Sequence, residues 1–216
     1  MTAPLSPPSG PPTPPPKRDG EATRARLLRS ALDLFTTAGF RATTTTAIAE
    51  GAAVAEGTIY RHFSGKEELF NELYRQAQLW AGKLAREVDA ERGITTPERL
   101  RRLGQAMIDD AARDPALARM FLTRGDERYQ DEKSKETARE FREILQHIMA
   151  SGKSDGLVRP GPAELWAGVW LALVSYAMWR VSAGEWAPDH PQTTLTLEAA
   201  WDAIAVRPGA APAAKI

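Results

Sequence analysis

The chain of 216 residues contains no cysteine, which excludes disulfide bonds, thiolate zinc sites and cysteine nucleophiles. It carries no net charge either, because 28 basic residues balance 28 acidic ones. Its most apolar stretch, residues 163–181, offers about 17 largely apolar residues, fewer than the roughly 20 that span a membrane. Proline-rich polar sequence stands where a secretory signal would have an apolar segment. We therefore expect a cytoplasmic protein with no membrane partner.

Residues suited to catalysis or metal binding are few and scattered. The histidines, which lack metal-ligand spacing, are His62, His147 and His190. The segment from Gly57 to Lys66 loosely suggests a phosphate loop, but its spacing is wrong and Glu67 stands where serine or threonine is needed. We predict no catalytic residue, no metal and no cofactor, and hence no enzyme.

The two ends of the chain differ in composition from the rest. Proline, with serine, threonine and glycine, dominates residues 1–16, and such a segment buries too little surface to offset its ordering entropy. We predict a disordered arm over residues 1–19. An alanine-, proline- and glycine-rich stretch predicts a flexible tail over residues 207–216.

The stretch Thr44–Lys66 reads TTTAIAEGAAVAEGTIYRHFSGK. It predicts a short helix capped by Thr44, a tight connection at Ala53-Val54, and a second helix over about Ala55–His62. Ile59 and Phe63, at i and i+4, are the inward anchors of that second helix. Two helices crossing over so short a turn indicate a helix-turn-helix motif.

Longer helices flank the motif on both sides. A helix over about Gly20–Ala38 has an apolar stripe and ends at Gly39, which suits a left-handed cap. Ser64 and Glu67 have the spacing of a capping box. The helix that they open runs for about 25 residues, or roughly 37 Å at 1.5 Å per residue. It would link the motif to the rest of the molecule.

Further helix signals fill the remainder of the chain. Thr96-Pro97 and Asp114-Pro115 each place a capping residue before a proline, and Thr194 is a candidate cap for the last helix. No segment shows convincing strand character. The pattern predicts an all-α fold of about nine helices: an N-terminal three-helix DNA-binding domain over residues 20–66, and a larger helical domain over residues 67–206.

The order of residues in the motif resembles the DNA-binding signature of the TetR family of bacterial transcriptional regulators. The resemblance is carried by Ile48-Ala49-Glu50, Ala52-Ala53-Val54, the run Gly57-Thr58-Ile59-Tyr60-Arg61-His62-Phe63, and Lys66-Glu67-Glu68-Leu69. It implies three helices for DNA binding and a larger helical regulatory domain. Residues 17–66 hold eight basic and five acidic residues, a mild excess of positive charge that fits this implication.

In a helix-turn-helix the second helix enters the major groove with its first residues nearest the bases. The expected DNA-binding residues are Arg41, Thr44, Ala55, Glu56, Gly57, Thr58, Tyr60, His62 and Lys66. The resemblance supports Thr44, Thr58, Tyr60, His62 and Lys66 in these roles, while packing of the subdomain is the alternative for Tyr60. Two departures weaken the start of this helix. Ala53 replaces the usual turn glycine, and Ala55 replaces the usual serine or threonine cap.

The larger domain is rich in tryptophan, which suggests an apolar cavity for a small-molecule effector. The candidate lining residues are Met107, Phe121, Trp166, Trp170 and Tyr176, with core packing as the alternative. The last two helices carry excess apolar surface that two-fold pairing would bury. We therefore expect a homodimeric, ligand-released repressor on a palindromic, double-stranded DNA operator. The alternatives are an enzyme using the tryptophan-lined cavity, or an effector-independent DNA-binding protein.

Overall fold

The computed structural model describes residues 17–123 and 127–207, and these fold as helices joined by short loops. The α-helices are α1 (Lys17–Thr37), α2 (Thr45–Gly51), α3 (Lys66–Ala90), α4 (Thr96–Arg113), α5 (Pro115–Leu122), α6 (Glu132–Ser154), α7 (Ala163–Ser182) and α8 (Pro191–Asp202). Two 3₁₀ helices span Glu56–Arg61 and Glu127–Tyr129. The predicted all-α fold, with a helix-turn-helix followed by a larger helical domain, is confirmed. No described helix combines the length and hydropathy that a membrane crossing requires.

Helix α1 supplies the surface on which the motif packs. It begins at Lys17, earlier than the predicted Gly20, and the rest of the predicted arm lies outside the described residues, as does the predicted tail from residue 208. Its apolar stripe is buried, and Gly39 follows it with φ 87°. A Cβ at Gly51 of α2 would overlap the Ser30 hydroxyl, so glycine allows α2 to approach α1 closely.

The turn of the motif holds Ala53 at φ 54°, the left-handed region that glycine tolerates best. Before it, Thr44 caps α2 as predicted, its hydroxyl accepting from the Ala47 N–H at 3.1 Å. The second helix of the motif differs from the prediction over about Ala55–His62. It spans Glu56–Arg61 and is a 3₁₀ helix. Ala55 at its N-cap has no side chain to bond the free N–H groups, and short helices close readily with i→i+3 bonds.

Replacing Ala53 with glycine should raise the free energy of unfolding by about 1 kcal/mol, because glycine removes the Cβ strain of a left-handed residue. Urea denaturation followed by circular dichroism measures the change. Ala42→Gly is the control, since Ala42 is also exposed but has a negative φ. A gain in stability from the control equal to that from Ala53→Gly would mean that backbone strain is not the cause.

Besides Thr44, one more helix start follows the predicted capping chemistry, and three others differ from it. Asp114 caps α5 as predicted, accepting from the Leu117 N–H at 3.2 Å. The Ser64/Glu67 capping box is wrong, because Glu68 instead accepts from the Ser64 N–H and hydroxyl at 2.6 and 2.8 Å. These two bonds, the backbone one first, lower the pKa of Glu68. Thr95 rather than Thr96 precedes α4, and His190 rather than Thr194 caps α8.

Helices α3 to α8 form the larger domain, in which α3 packs along α6 and α7 packs on α4, α5, α6 and α8. Trp170 is 1% exposed at the centre of this packing. A Cβ added at Gly104 of α4 would lie 2.6 Å from Leu197 Cδ2 and 3.5 Å from Trp170 Cζ2, so glycine lets α4, α7 and α8 meet closely. The 25 residues of α3 match the predicted length, and this helix connects the two parts of the molecule.

Candidate DNA-binding head and effector cavities

The head, defined here as residues 17–66, places the 3₁₀ helix Glu56–Arg61 on its surface. Ile59 is fully buried and Phe63 nearly so, which fixes this helix against α1 and α2. Most of the other residues of the helix are exposed, including the large side chain of Tyr60. We call this segment the recognition helix. The exposed side of the recognition helix can therefore contact the flat or grooved surface of a partner.

Most of the predicted DNA-binding residues lie on this exposed side of the head. The exposed ones are Arg41, Thr44, Ala55, Glu56, Gly57 and Tyr60, and the half-buried ones are Thr58, His62 and Lys66. A Cβ at Gly57 would meet no atom within 4 Å, so this position is open. The packing alternative for Tyr60 receives no support, because its side chain is 59% exposed.

Glu56 holds the two helices of the motif together. Its Oε1 accepts from the Thr46 hydroxyl at 2.8 Å and lies 3.4 Å from the Thr45 hydroxyl. The two threonines belong to the first turn of α2. A carboxylate engaged in this way is less available to DNA than its place among the expected DNA-binding residues suggests. The contact instead fixes how the recognition helix crosses α2.

Lys66 points into the protein rather than away from it. Its ammonium donates to the Phe40 carbonyl at 3.0 Å and to the Thr43 carbonyl at 2.9 Å, and lies 4.5 Å from the centre of the Phe40 ring. These contacts tie the first residue of α3 to the loop between α1 and α2. The sequence predicted a phosphate contact here, whereas the geometry favours a structural role.

Arg61 is a candidate DNA-binding residue that the sequence reasoning missed. It ends the recognition helix, is exposed, and has no hydrogen-bond or ion-pair partner among residues 17–123 and 127–207. A free guanidinium beside a groove-reading helix suits a phosphate contact. Arg61 directly follows Tyr60 in the sequence, and this adjacency could have indicated a DNA contact.

The sequence family described as bacterial regulatory proteins, tetR family, matches residues 27–73, which cover most of the head and the start of α3. The head and the start of α3 therefore match the DNA-binding part of the TetR family. The transcriptional repressor KstR2 of Mycobacterium tuberculosis is 44% identical over 57 residues, which span 26% of this chain and 28% of the repressor. The match with this curated relative thus spans little more than a quarter of its length.

Two longer similarities extend the comparison to the body of the chain. The transcriptional regulator YvkB of Bacillus subtilis is 24% identical over 176 residues, 80% of this chain and 90% of that protein. A crystal structure of a TetR family transcription regulator from Marinobacter aquaeolei VT8 has a TM-score of 0.74 at 22% identity. It covers 88% of this chain and the whole of that one. At 22% identity, this structural similarity shows a shared fold.

The TetR-type head is joined to the body by polar contacts beyond the continuous helix α3. Arg29 of α1 binds the carboxylate of Asp114, the cap of α5, at 3.1 Å. Burial opposes the shift, but the hydrogen bond and charge of Asp114 raise the pKa of Arg29. Phe40, in the loop between α1 and α2, packs against Tyr129 with ring centroids 4.4 Å apart. Movements of α5 or of the segment before α6 would therefore reach the head.

Asn71 and Arg75 of α3 hold the start of α6. The Asn71 amide donates to the Tyr129 carbonyl at 2.7 Å and accepts from the Asp131 N–H at 2.9 Å. Arg75 binds the Asp131 carboxylate at 2.9 Å, and Asp131 also caps α6 by accepting from the Ser134 N–H at 2.7 Å. Burial opposes the shift, but the bonds from Ser134 and the charge of Arg75 together lower the pKa of Asp131.

A low pH should weaken the contacts that hold the start of α6 on α3. Because the folded-state pKa of Asp131 lies below its usual 3.8, the stabilisation is fully present above that value and is lost as the pH falls through the folded-state pKa. Asp131→Asn keeps a good N-cap residue but removes the titrating charge. Urea unfolding of both proteins between about pH 6 and pH 2 should show a smaller loss of stability in the variant. Superimposable pH profiles would contradict this role of Asp131.

Described residues of the body line a cavity on each of two sides of α7. The α3/α7 cavity, of about 420 Å³, lies among α3, α5, α6 and α7, and its lining includes Tyr74, Gln78, Phe121, Arg142 and Gly168. The α4/α8 cavity, of about 400 Å³, is lined among others by Glu98, Arg101, Trp170, Glu198 and Trp201. Volumes of this size suit small molecules.

The predicted effector residues do not come together in one cavity. Phe121 lines the α3/α7 cavity and Trp170 the α4/α8 cavity, while Met107 is fully buried in the core. Trp166 is half-buried near Arg159, and Tyr176 is 49% exposed beside Trp186. Residues of one helix point to different sides of it, so a shared helix does not imply a shared cavity.

Proposed function

We propose that this chain is a DNA-binding transcriptional repressor that acts as a homodimer on a palindromic operator and is released by a small molecule. The observation that carries the proposal is the exposed recognition helix, held by Ile59 and Phe63 within a segment that matches the TetR family. KstR2, whose name describes a repressor, is among the relatives. A protein that binds chromosomal operators would work in the cytoplasm.

The recognition helix would enter the major groove with Gly57, Thr58 and Tyr60 toward the DNA. Arg61, which is free among the described residues, would bind a phosphate beside the groove. Arg41 and Thr44, exposed at the opening of α2, would meet the backbone on the other side. Glu56 and Lys66 would keep the head in shape rather than read sequence, because their polar atoms are engaged inside the protein.

A second copy of the chain would cover the apolar face formed by α7 and α8. Exposed large apolar side chains gather there: they are Leu165, Tyr176 and Trp179 of α7 and Leu195 of α8. Trp179 is 50% exposed and Leu195 is 61% exposed. Two-fold pairing of these helices would bury the face and set two recognition helices about 34–36 Å apart, one turn of DNA.

Replacing Trp179 with glutamate should weaken the dimer by at least about 30-fold, since truncating an aromatic interface residue costs about 2 kcal/mol or more. Analytical ultracentrifugation across a concentration series measures the dissociation constant. Leu79→Glu is the matched control, because Leu79 is 48% exposed on α3, away from α7 and α8. Equal weakening by both variants, or by neither, would place the interface elsewhere.

Release would begin in the α3/α7 cavity. Its walls include Tyr74 and Gln78 of α3, the helix that starts in the head, and Phe121 of α5, whose cap Asp114 binds Arg29 of α1. A ligand there would contact both α3 and α5, the two helices that connect the body to the head. It would release the DNA only by binding more tightly to the non-binding arrangement, since equal affinity for both arrangements shifts nothing.

Selection of bound DNA from a random pool tests the proposal directly. We expect an enriched palindrome with half-sites one helical turn apart, and fluorescence anisotropy should then show weaker binding by Tyr60→Ala. Arg92→Ala serves as a control, because Arg92 is exposed in the loop between α3 and α4. A failure to enrich any sequence would contradict the proposal. The two cavities favour a ligand-responsive regulator over an effector-independent one.

A further inference from the structure

Among the described residues, the lining of the α3/α7 cavity carries one positive charge and no negative one. Arg142 of α6 is exposed at its edge, and no hydrogen-bond or ion-pair partner for it exists within the described part of the chain. The remaining lining residues are apolar or uncharged polar residues. A guanidinium that is free, beside an apolar cavity, is a binding group for an anion and especially for a carboxylate.

Gln78 adds a second and independent observation. Its side chain lines the same cavity, and its amide has no hydrogen-bond partner among residues 17–123 and 127–207. Gln78 is 6% exposed, but it is not among the described residues that bury an unpaired polar atom, so its amide stays open to the cavity. An amide both donates and accepts, so it can pair with a carbonyl or a hydroxyl group of a ligand.

The α4/α8 cavity has the opposite electrostatic character. Its charged lining residues are Glu98, Arg101 and Glu198. Arg101 is neutralised by Glu98, with a nitrogen–oxygen distance of 2.9 Å, and this bond, with that from Arg102, lowers the pKa of Glu98 to about 2. Glu198 has no partner among the described side chains, so this cavity is net negative and does not suit an anion.

We propose that the α3/α7 cavity binds an amphipathic monocarboxylic acid. The carboxylate pairs with the Arg142 guanidinium, the apolar chain lies against Phe121, Phe141 and Leu171, and a polar group along the chain meets the Gln78 amide. One free cation matches a singly charged carboxylate better than a doubly charged phosphate. The ligand is the effector of the proposed repressor, so the inference rests on that function, but its binding can be measured without DNA.

Isothermal titration calorimetry with straight-chain carboxylates of about six to fourteen carbons, each below its micelle concentration, tests the proposal. We expect one carboxylate per chain, with the matching alcohols and alkyltrimethylammonium ions binding at least about tenfold more weakly, the factor expected for a charge-assisted pair. Arg142→Gln should lower carboxylate affinity by a similar factor. Arg139→Gln is the matched control, because Arg139 is exposed on the same helix but does not line the cavity.

Two further variants separate ligand binding from folding. Gly168→Leu should abolish binding without loss of stability, because Gly168 lines the cavity and a Cβ there meets no atom within 4 Å. Gln78→Leu should weaken the binding of hydroxylated or oxo acids more than that of plain ones. Alcohols or cations binding as tightly as carboxylates, no binding by any chain length, or wild-type affinity in Arg142→Gln would overturn the proposal.

The same titrations distinguish this inference from the proposed function. Carboxylate binding that leaves operator affinity unchanged would contradict ligand release but support the chemistry of the cavity. Operator binding by a protein that takes no carboxylate would support the repressor and overturn the ligand class.

Discussion

Replacing Trp170 with alanine should lower the free energy of unfolding by about 3–5 kcal/mol, the cost typical of deleting a buried aromatic side chain. Trp170 is 1% exposed, and α4, α7 and α8 approach closely around it through Gly104. The cavity left behind could not collapse without moving these helices. Urea denaturation at equilibrium measures the loss, and the midpoint should fall with little change in slope.

Trp166→Ala is the control for this prediction. Trp166 lies one turn earlier on α7, is half-buried, and has a buried indole N–H without a partner in the described structure. Its removal should cost less than half as much as the removal of Trp170. Equal costs, or a stable Trp170→Ala protein, would mean that Trp170 lines a ligand site without supporting the core.

Replacing Lys66 with methionine should lower the free energy of unfolding by about 2–3 kcal/mol, because hydrogen bonds from a charged donor to buried acceptors contribute about 1.5–3 kcal/mol. The ammonium serves the carbonyls of Phe40 and Thr43, which would lose their partner. Methionine keeps the length and apolar stem of the side chain. Thermal unfolding followed by circular dichroism measures the effect.

Arg61→Met removes the same charge from the same head but should give the opposite result. Its stability should stay within about 0.5 kcal/mol, as for other surface substitutions. Its DNA affinity should fall. A dimer would lose about two phosphate contacts, and each lost contact should reduce the slope of log affinity against log salt concentration by about 0.9. If Lys66→Met keeps its stability and loses salt dependence instead, Lys66 is the phosphate contact.

Features that depend on neighbours in sequence could be predicted well. The length of α3 follows from apolar residues repeating every three or four positions, and the caps by Thr44 and Asp114 follow from short polar side chains before a helix. The positive φ of Ala53 fits the family resemblance, in which a glycine usually stands at this position. Each of these depends on contacts within about one helical turn.

Features that depend on how helices cross could not be predicted. Lys66 meets carbonyls 23 and 26 residues earlier in the chain, and Glu56 meets a threonine on another helix. Trp170 and Tyr176 share α7, but a spacing of six residues at about 3.6 per turn places them on different sides. One faces the core and the other is exposed, so a tryptophan-rich segment does not define a cavity.

The six tryptophans of the chain all lie beyond residue 79, so the head contains no indole. Tryptophan fluorescence, excited selectively at wavelengths that tyrosine barely absorbs, therefore reports on the body alone. Trp80 of α3 donates to Asp110 at 2.8 Å, and its ring centre lies 5.7 Å from that of Phe121, which lines the α3/α7 cavity. Ligand entry should change its emission directly, whereas DNA, which would touch only the indole-free head, can change emission only through the helices that join the two parts. The tryptophan emission of the unmodified protein thus measures the coupling between the head and the body.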